Sequence, residues 1–296
     1  MTQTTVASMN GLWLDRVYED AVFAARARTL MASSGIVSTF NDRTGDEARD
    51  LPEYVRGTAA EVAEGSDYTA AQELTKGTAG SLSVKEAIAQ FLVTDRRFES
   101  DPDDVRNAAA VELGNALATK IDTDMTALFA SFTGGGGTVG VGTTALTWGQ
   151  LFAARSRLAA GGTTGNSVPG PYVAVLHEYH WFNLAKSASV AGAQTNASAA
   201  LLDDVNRGYY VASVGDMDIF VSNNISAGTA TGNPAVSGVF NRQAIALDMR
   251  RAPRLEPDRD ASARATELNM TVKYAAGVWR PTFGIPVLAS ASLPTS

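Results

Sequence analysis

The clearest pattern in the chain is a line of apolar positions at Val105, Ala109, Leu113, Leu117, Ile121, Met125 and Phe129, one every fourth residue, with Ala116 and Leu128 widening the stripe. That spacing gathers apolar side chains on one side of an α-helix. The start is marked by Ser100-Asp101-Pro102-Asp103-Asp104: a Ser or Asp to cap the first amides, a proline in the first turn, and carboxylates at the positive end of the helix. Nothing interrupts the pattern before Thr133-Gly-Gly-Gly-Gly137. It predicts a rod over about 102–131, roughly 42 Å long.

Ahead of the rod the texture differs. Asn10 to Met31 sets Leu12, Trp13, Val17, Val22, Phe23 and Leu30 among charges and predicts a helical or irregular arm. Between Thr39 and Ser81 large apolar residues become sparse. A turn cluster, Asn41-Asp-Arg-Thr-Gly45, precedes a short strand candidate, Leu51 to Thr58. Then come Glu61-Val-Ala-Glu-Gly-Ser-Asp-Tyr68 and a polar return through Thr75-Lys-Gly-Thr-Ala-Gly80. Such a stretch is too poor in core-forming residues to pack alone and too long for an idle connection. A long two-stranded hairpin solves the problem, and because an isolated hairpin is marginal in water its support is expected from a neighbouring chain. Ser83 to Thr94 then alternates loosely and ends in Phe91-Leu-Val-Thr-Asp95.

Beyond the rod, Gly134 to Thr147 predicts a flexible or tightly turning connection. Trp148 to Ala160 predicts a shorter helix, the unbroken apolar run Tyr172 to Leu176 a buried strand, and Tyr179 to Ala188 another helix. Ala191 to Ala200 is small and polar, as in a surface loop. Further strands are expected over Tyr209–Val214, Asp218–Ser222, Gly238–Arg242, Ala244–Leu247, Glu267–Ala276 and Trp279–Phe283, with Pro281 and Pro286 arguing for edges or bends. No repeat of fixed period is visible.

Composition narrows the function. The 296 residues are 45% hydrophobic and 19% charged, enough to bury a substantial core. With 31 acidic against 24 basic residues the formal charge is −7, which gives no general attraction to phosphate backbones and argues against nucleic-acid binding as the primary task. Arg250, Arg251, Arg254, Arg259 and Arg264 bunch among Glu256, Asp258 and Asp260. Two readings stand open there: a solvated mixed-charge loop, or a subunit interface laced with ion pairs suited to the planar arginine fork. The absence of cysteine removes disulfides, thiolate nucleophiles and zinc–sulfur sites. Met1-Thr-Gln-Thr-Thr-Val6 does not read as a signal peptide, and no run of about 18 apolar residues predicts a membrane span.

The candidate chemical motifs dissolve on inspection. The two histidines, in His177-Glu-Tyr-His180, are three apart, whereas a zinc-protease helix needs four so that both rings face one ion. A strand-to-helix corner is the expectation, and no metal. Gly135-Gly-Gly-Thr-Val-Gly140 satisfies G-x-G-x-x-G, but that motif works only between a strand and a helix whose free N–H groups meet a phosphate. Here a long helix precedes it, so the match is one of composition. Asp103-Asp104 and Asp203-Asp204 read as helix-start charges. No G-x-S-x-G elbow or Walker loop is present, and no enzyme activity or cofactor is expected. Asn196, Asn224 and Asn269 fit the N-glycosylation pattern, which carries no meaning without a secretory signal.

Several stretches together resemble the major capsid proteins of tailed bacteriophages, the Hong Kong 97 (HK97) fold. Glu61-Val-Ala-Glu-Gly-Ser-Asp-Tyr68 looks like the extended loop of that family. Leu92-Val-Thr-Asp95 with Asp104-Val-Arg106, Glu112-Leu-Gly114 and Ala118-Thr-Lys-Ile-Asp-Thr-Asp124 resembles its spine helix. Ala174-Val-Leu-His177, Trp181 and Leu184 resemble the opening of its axial domain, and Gly208-Tyr-Tyr210 with Gly215-Asp-Met-Asp-Ile-Phe-Val-Ser222 its later strands. Val239-Phe240, Ala244-Ile-Ala-Leu247 and the tail through Pro286 look like the return to its peripheral domain.

The resemblance covers nearly the whole chain and implies an α+β fold with a long spine helix, an extended β-hairpin loop, and peripheral and axial domains. It places an N-terminal arm at 1–42, the extended loop at 43–80, the peripheral domain with its spine helix at 81–145, the axial domain at 146–248 and a return to the peripheral domain at 249–296. It implies a non-enzymatic shell subunit of the virion, forming pentamers and hexamers around double-stranded DNA, with no membrane contact. A separate scaffolding protein, a portal and decoration proteins would be its partners. Contacts between subunits are expected at Glu61, Glu64, Asp67, Tyr68 and Lys76 of the loop and at Arg250, Arg251, Arg254 and Arg259. Loops around Lys186 to Ala200 would approach the symmetry axes, and no covalent Lys–Asn links are assumed. Other readings are an encapsulin-type compartment shell, a minor phage structural protein, and, from another class, a nucleotide-binding enzyme built on Gly135–Gly140.

Overall fold

The predicted rod is a helix from Pro102 to Thr126, with the proline at its first position, extended by a 3-10 turn over Ala127–Ser131. Its 25 residues span ~37 Å. Ala109, Leu113, Leu117, Ile121, Met125 and Phe129 are all buried in one cluster. Ala116 is exposed, however, and the stripe widens instead through Gly114, Ala118 and Asp122. The cause is geometric. A step of four residues turns a helix about 400°, so a line drawn every fourth residue winds around the rod by about 40° per step.

A computed structural model describes residues 30–32, 35–42, 45, 47–54, 59–69, 73, 76–100, 102–162, 167–190 and 210–295. The expected arm before Leu30 and the expected surface loop at Ala191–Ala200 lie outside these residues. In chain order the elements are β1 (Ser38–Phe40), β2 (Arg49–Tyr54), β3 (Lys76–Leu82), β4 (Lys85–Thr94), α1 (Asp95–Ser100), α2 (Pro102–Thr126), α3 (Trp148–Ala160), β5 (Tyr172–His177), α4 (Glu178–Val190), β6 (Tyr210–Ser213), β7 (Met217–Ser222), β8 (Pro234–Asn241), β9 (Ile245–Asp260), β10 (Ala265–Val278) and β11 (Gly284–Ser290). The short helix α1 was not foreseen.

Among the described residues three sheets form: β1-β9-β10-β4, β11-β8-β5-β7-β6, and the two-stranded β2-β3. The five-stranded sheet is buried on both faces. Val173 and Val175 of β5 point into the cluster that contains α2, while Tyr172, Ala174 and Leu176 point into a second cluster with Leu151, Ala154 and Leu158 of α3 and Leu184 of α4. That two-sided burial explains the unbroken apolar run of β5. Helix α3 is closed at its start by a reciprocal pair: Gln150 N donates to the Thr147 hydroxyl and Thr147 N to Gln150 Oε1.

The tail does not return to one sheet as a unit. Residues 249–260 and 265–278 lie in the four-stranded sheet, but β11 pairs with β8 from Gly284↔Phe240 to Ser290↔Pro234, at the edge of the five-stranded sheet. Pro286 is tolerated there because β11 is flanked by only one other strand. Trp279–Phe283 is not a strand; Pro281–Phe283 forms a 3-10 turn. The mixed-charge stretch 250–260 is not a loop either, for β9 runs through it, paired with β10 up to Asp260↔Ala265. Its prolines fit because β1 covers only Ala246–Asp248. Pro257 therefore has an open edge, and Pro253 falls where the register shifts between Thr271 and Lys273.

The glycine run is a packing device. Val139 N donates to Pro286 O and Leu288 N to Val139 O, which binds the run along β11. At Gly140, whose φ is +89°, a Cβ would come within 2.4 Å of Leu288 O. The amides of Gly137 and Val139 are already engaged, and the space beside Gly140 is filled by β11.

His177 ends β5 and His180 lies in α4, so the predicted strand-to-helix corner is present. His180 Nε2 donates to Ala289 O at 3.1 Å, and its Nδ1 accepts from the Ser237 hydroxyl at 2.8 Å, which in turn accepts from His177 N at 3.2 Å. A carbonyl can only accept, so the ring is the neutral Nε2–H tautomer. A serine and a histidine at this distance mimic a nucleophile and its base, but both are fully buried and the second ring nitrogen is spent on β11. Burial holds the His180 pKa down at about 4, against 6.5 normally. A base with a depressed folded pKa stabilises the fold above the unfolded value and loses that contribution as the pH falls toward the folded one. Stability is therefore expected to drop by up to roughly 3 kcal/mol between pH 6.5 and 4, with a smaller share from His177, also lowered by burial. Denaturant titrations across this range should show the slope, and His180→Gln should flatten it; an unaltered slope would refute the assignment.

Candidate assembly interface

The hairpin predicted between the arm and the rod is built from β2 and β3, antiparallel from Arg49↔Leu82 to Tyr54↔Lys76. Its root is not left to a neighbour. Leu51 and Leu82 are buried against Ala246 of β9 and Ala275 of β10, with Phe40, Val84 and Trp279 around them. The approach of β3 to the end of β10 is close enough that a Cβ on Gly80 would meet Val278 O at 2.8 Å. The expectation that the whole stretch lacks internal support is thus corrected for the root.

An ionic clamp completes the root. Asp248 of β9 is fully buried and meets Arg250 Nη2 at 3.1 Å and Arg49 Nη1 at 3.3 Å. Arg250 also donates to Glu47 O at 3.0 Å, while Arg49 pairs with Asp42 and lies 4.1 Å over the Phe40 ring. The hydrogen bond to Asp42, outweighing the cost of burial, raises the Arg49 pKa. The segment leading into the hairpin is thereby wrapped around one carboxylate.

Toward the tip the support ends. Every side chain from Ala59 to Thr69 is exposed, including Val62 at 48% and Tyr68 at 43%. Ser66 N donates to Ala63 O across a turn at Glu64-Gly65. The structure thus brings Glu61, Glu64, Asp67 and Tyr68 together on one exposed, acidic tip, and Lys76 opens β3 opposite Tyr54.

The arginines are strung along β9 and are mostly engaged within the chain. Arg250 is buried in the clamp, which removes it from the surface; its predicted role as a subunit contact is corrected to that of a root anchor. Arg251 donates to Glu86 Oε1 of β4 at 2.6 Å and to the Thr271 hydroxyl at 3.0 Å. Arg259 forks onto both carboxylate oxygens of Asp95 at 2.5 and 2.7 Å, tying the β9–β10 tip to α1. That hydrogen bond holds Asp95 below, and Arg259 above, its ordinary pKa. Arg254, mostly exposed, pairs with Glu256 two residues on, at 3.1 Å. Of the four, it is the most open to a partner.

Sequence reasoning missed a further surface. β4 is the edge of the four-stranded sheet, and it exposes Ile88 at 63%, Leu92 at 55% and Phe91 at 40%. A ten-residue edge strand with bare apolar side chains is a template for association unless something covers it. The available signal was the loose alternation itself: apolar residues occur on both phases of 85–94, and only one phase can face α2. Asp248 had a signal too, as a lone charge in the apolar run Ala244-Ile-Ala-Leu-Asp-Met249.

Among the described residues no cluster of His, Cys, Asp or Glu could hold a metal ion, and no helix is long and apolar enough to cross a membrane. A long rod against two sheets, a projecting hairpin and an uncovered edge define a protein made to contact others. Residues 81–287, more than half of the chain, match the family described as phage capsid protein. The chain belongs to that family. It is a structural protein of the phage head, with its place in the virion shell.

Solved structures agree on the fold. The capsid of the cyanophage P-SCSP1u is 18% identical, with 86% of this chain and 87% of that chain covered and a TM-score of 0.63. A Mycobacterium phage Che8 structure is 20% identical over 84% and 85%, with a TM-score of 0.62. The cyanophage Pam1 capsid is 13% identical over 92% and 93%, with a TM-score of 0.66. No curated protein matches the sequence.

The clamp predicts unequal costs along the arginine row. Asp248→Ala leaves two guanidiniums around an empty place and is expected to cost about 3–5 kcal/mol. Asp95→Ala breaks only an exposed pair and should leave the unfolding midpoint nearly unchanged. Equal midpoints for the two variants in urea would show that the root does not depend on Asp248.

Proposed function

We propose that this head protein forms pentamers and hexamers that tile an icosahedral shell around double-stranded DNA, each copy laying the exposed part of its hairpin over a neighbour. The observation that carries the reading is the division within one hairpin: a root with its own core and clamp, and an eleven-residue tip with every side chain in solvent. Chain anchored at its root but left uncovered over 59–69 fits a contact completed by another copy. Glu61, Glu64, Asp67, Tyr68 and Lys76 are proposed to make that contact, with Arg251, Arg254 and Arg259 contributing from the four-stranded sheet.

Individual contacts of this kind are weak, and repetition with closed symmetry supplies the avidity. The net charge of −7 suits a container: an acidic subunit does not trap the polyanion that must later leave. The same reading expects a separate scaffolding protein, a portal and decoration proteins as partners.

Electron microscopy of the purified protein, with and without a scaffolding protein, should show closed shells of uniform diameter. Replacing Glu61–Tyr68 with a Gly/Ser turn should leave the subunit folded by circular dichroism yet abolish shells. Normal shells from that variant would rule out the tip as an assembly contact. Ile88→Lys should likewise lower shell yield at least tenfold if the β4 edge is covered in the particle.

A further inference from the structure

We infer that Asp122 is a latch that couples the incoming arm to the five-stranded sheet, so that the two respond to assembly together. Its role in assembly rests on the shell-subunit reading; its geometry does not. Asp122 lies near the end of α2 and is fully buried. Its Oδ2 accepts from Leu30 N at 2.9 Å and its Oδ1 from Met31 N at 3.1 Å, so one carboxylate holds two consecutive amides where the arm enters the body. Oδ2 also accepts from Asn224 Nδ2 at 3.3 Å, in the turn after β7. Asn224 is fixed in its turn: its carbonyl accepts from the Thr126 hydroxyl at 3.1 Å, and its N–H donates to Ser222 Oγ at 3.2 Å. Arm, rod and sheet thus share one side chain.

The choice of residue is informative. Two adjacent amides need two acceptors, and asparagine would turn an NH2 group against one of them. Burial raises the Asp122 pKa while the three N–H donors pull it back. Among the described residues those donors are all neutral amides, and a buried carboxylate held by amides alone is costly compared with an apolar side chain of similar size. Stability alone does not call for it. The third donor, Asn224, sets the rotation of the carboxylate so that each oxygen faces one arm amide. Loss of that bond should loosen Leu30 and Met31 although residue 224 donates nothing to them.

Hydrogen exchange on the unassembled full chain tests the coupling. Asn224→Ala is expected to speed exchange of the Leu30 and Met31 amides at least tenfold, with β5 still protected. In an Asp122→Asn background the same change should add less than twofold, because the connection is already cut. Exchange at residues 30–31 within twofold of wild type in Asn224→Ala would overturn the latch. So would uniform acceleration through β5, which marks a merely structural role. Should Asp122→Asn fail to fold, the Asn224→Ala measurement decides alone. In electron micrographs Asn224→Ala shells should vary in diameter more than wild-type shells. Failure of the wild type to form shells would count against the shell reading and leave the exchange result intact.

Discussion

One helix serves two sheets, and the rest of the molecule follows from that. Because the apolar line of α2 winds about the rod, its side chains share a single cluster with Leu268, Met270 and Val272 of the four-stranded sheet and with Val173, Val175 and Phe240 of the five-stranded one. The rings of Phe129, Phe132 and Phe240 meet at the end of the rod with centroids 5.5–5.8 Å apart, a favourable spacing for aromatic pairs. Each fully buried side chain of this size contributes about 1.5–3 kcal/mol. A straight stripe would have bound one sheet and left the other to pack through its second face alone.

Polar groups buried against this core act as pegs between elements. Asp124 of α2 accepts from the Tyr274 hydroxyl at 2.7 Å and from Lys120 at 2.8 Å, fastening the rod to β10. Burial works against its ionisation, but those bonds hold its pKa below the usual value. His180 and Ser237 do the same for α4, β8 and β11, Asp248 for the hairpin root, and Asp122 for the arm. In each case at least one partner is far away in sequence, so each peg fixes a relation that local propensity cannot.

The hairpin divides into a supported root and an exposed tip. Its root shares a cluster with β9 and β10, while the described tip residues 59–69 are all exposed. On the proposed reading this asymmetry is useful: a hairpin without an anchored root would pay more ordering entropy on contact, while one folded down onto its own sheet could not reach. The bare edge of β4 belongs to the same economy of incomplete surfaces.

How much was legible in the residues depends on the range of the force involved. The rod, its proline start, the two shorter helices, the buried run of β5 and the hairpin were readable because periodicity, capping and turn chemistry act over a few residues. The sequence also marked 39–81 as too poor in large apolar residues to pack alone, which fits the exposed 59–69 but not the root around Leu51. It misplaced what depends on partners distant in the chain. The arginine-rich stretch of β9 left a charged loop open as one of two readings because its strand character comes from β10, its prolines being tolerated on an open edge. Arg250 looked like a surface contact because the carboxylate that buries it is held inside by the fold. Ala116 looked apolar-facing because a one-dimensional stripe hides the winding of the helix. Only the packed chain decides which face each sheet covers, which charges meet, and where one carboxylate can hold three elements, since those depend on distances between residues that the sequence leaves tens or hundreds of positions apart.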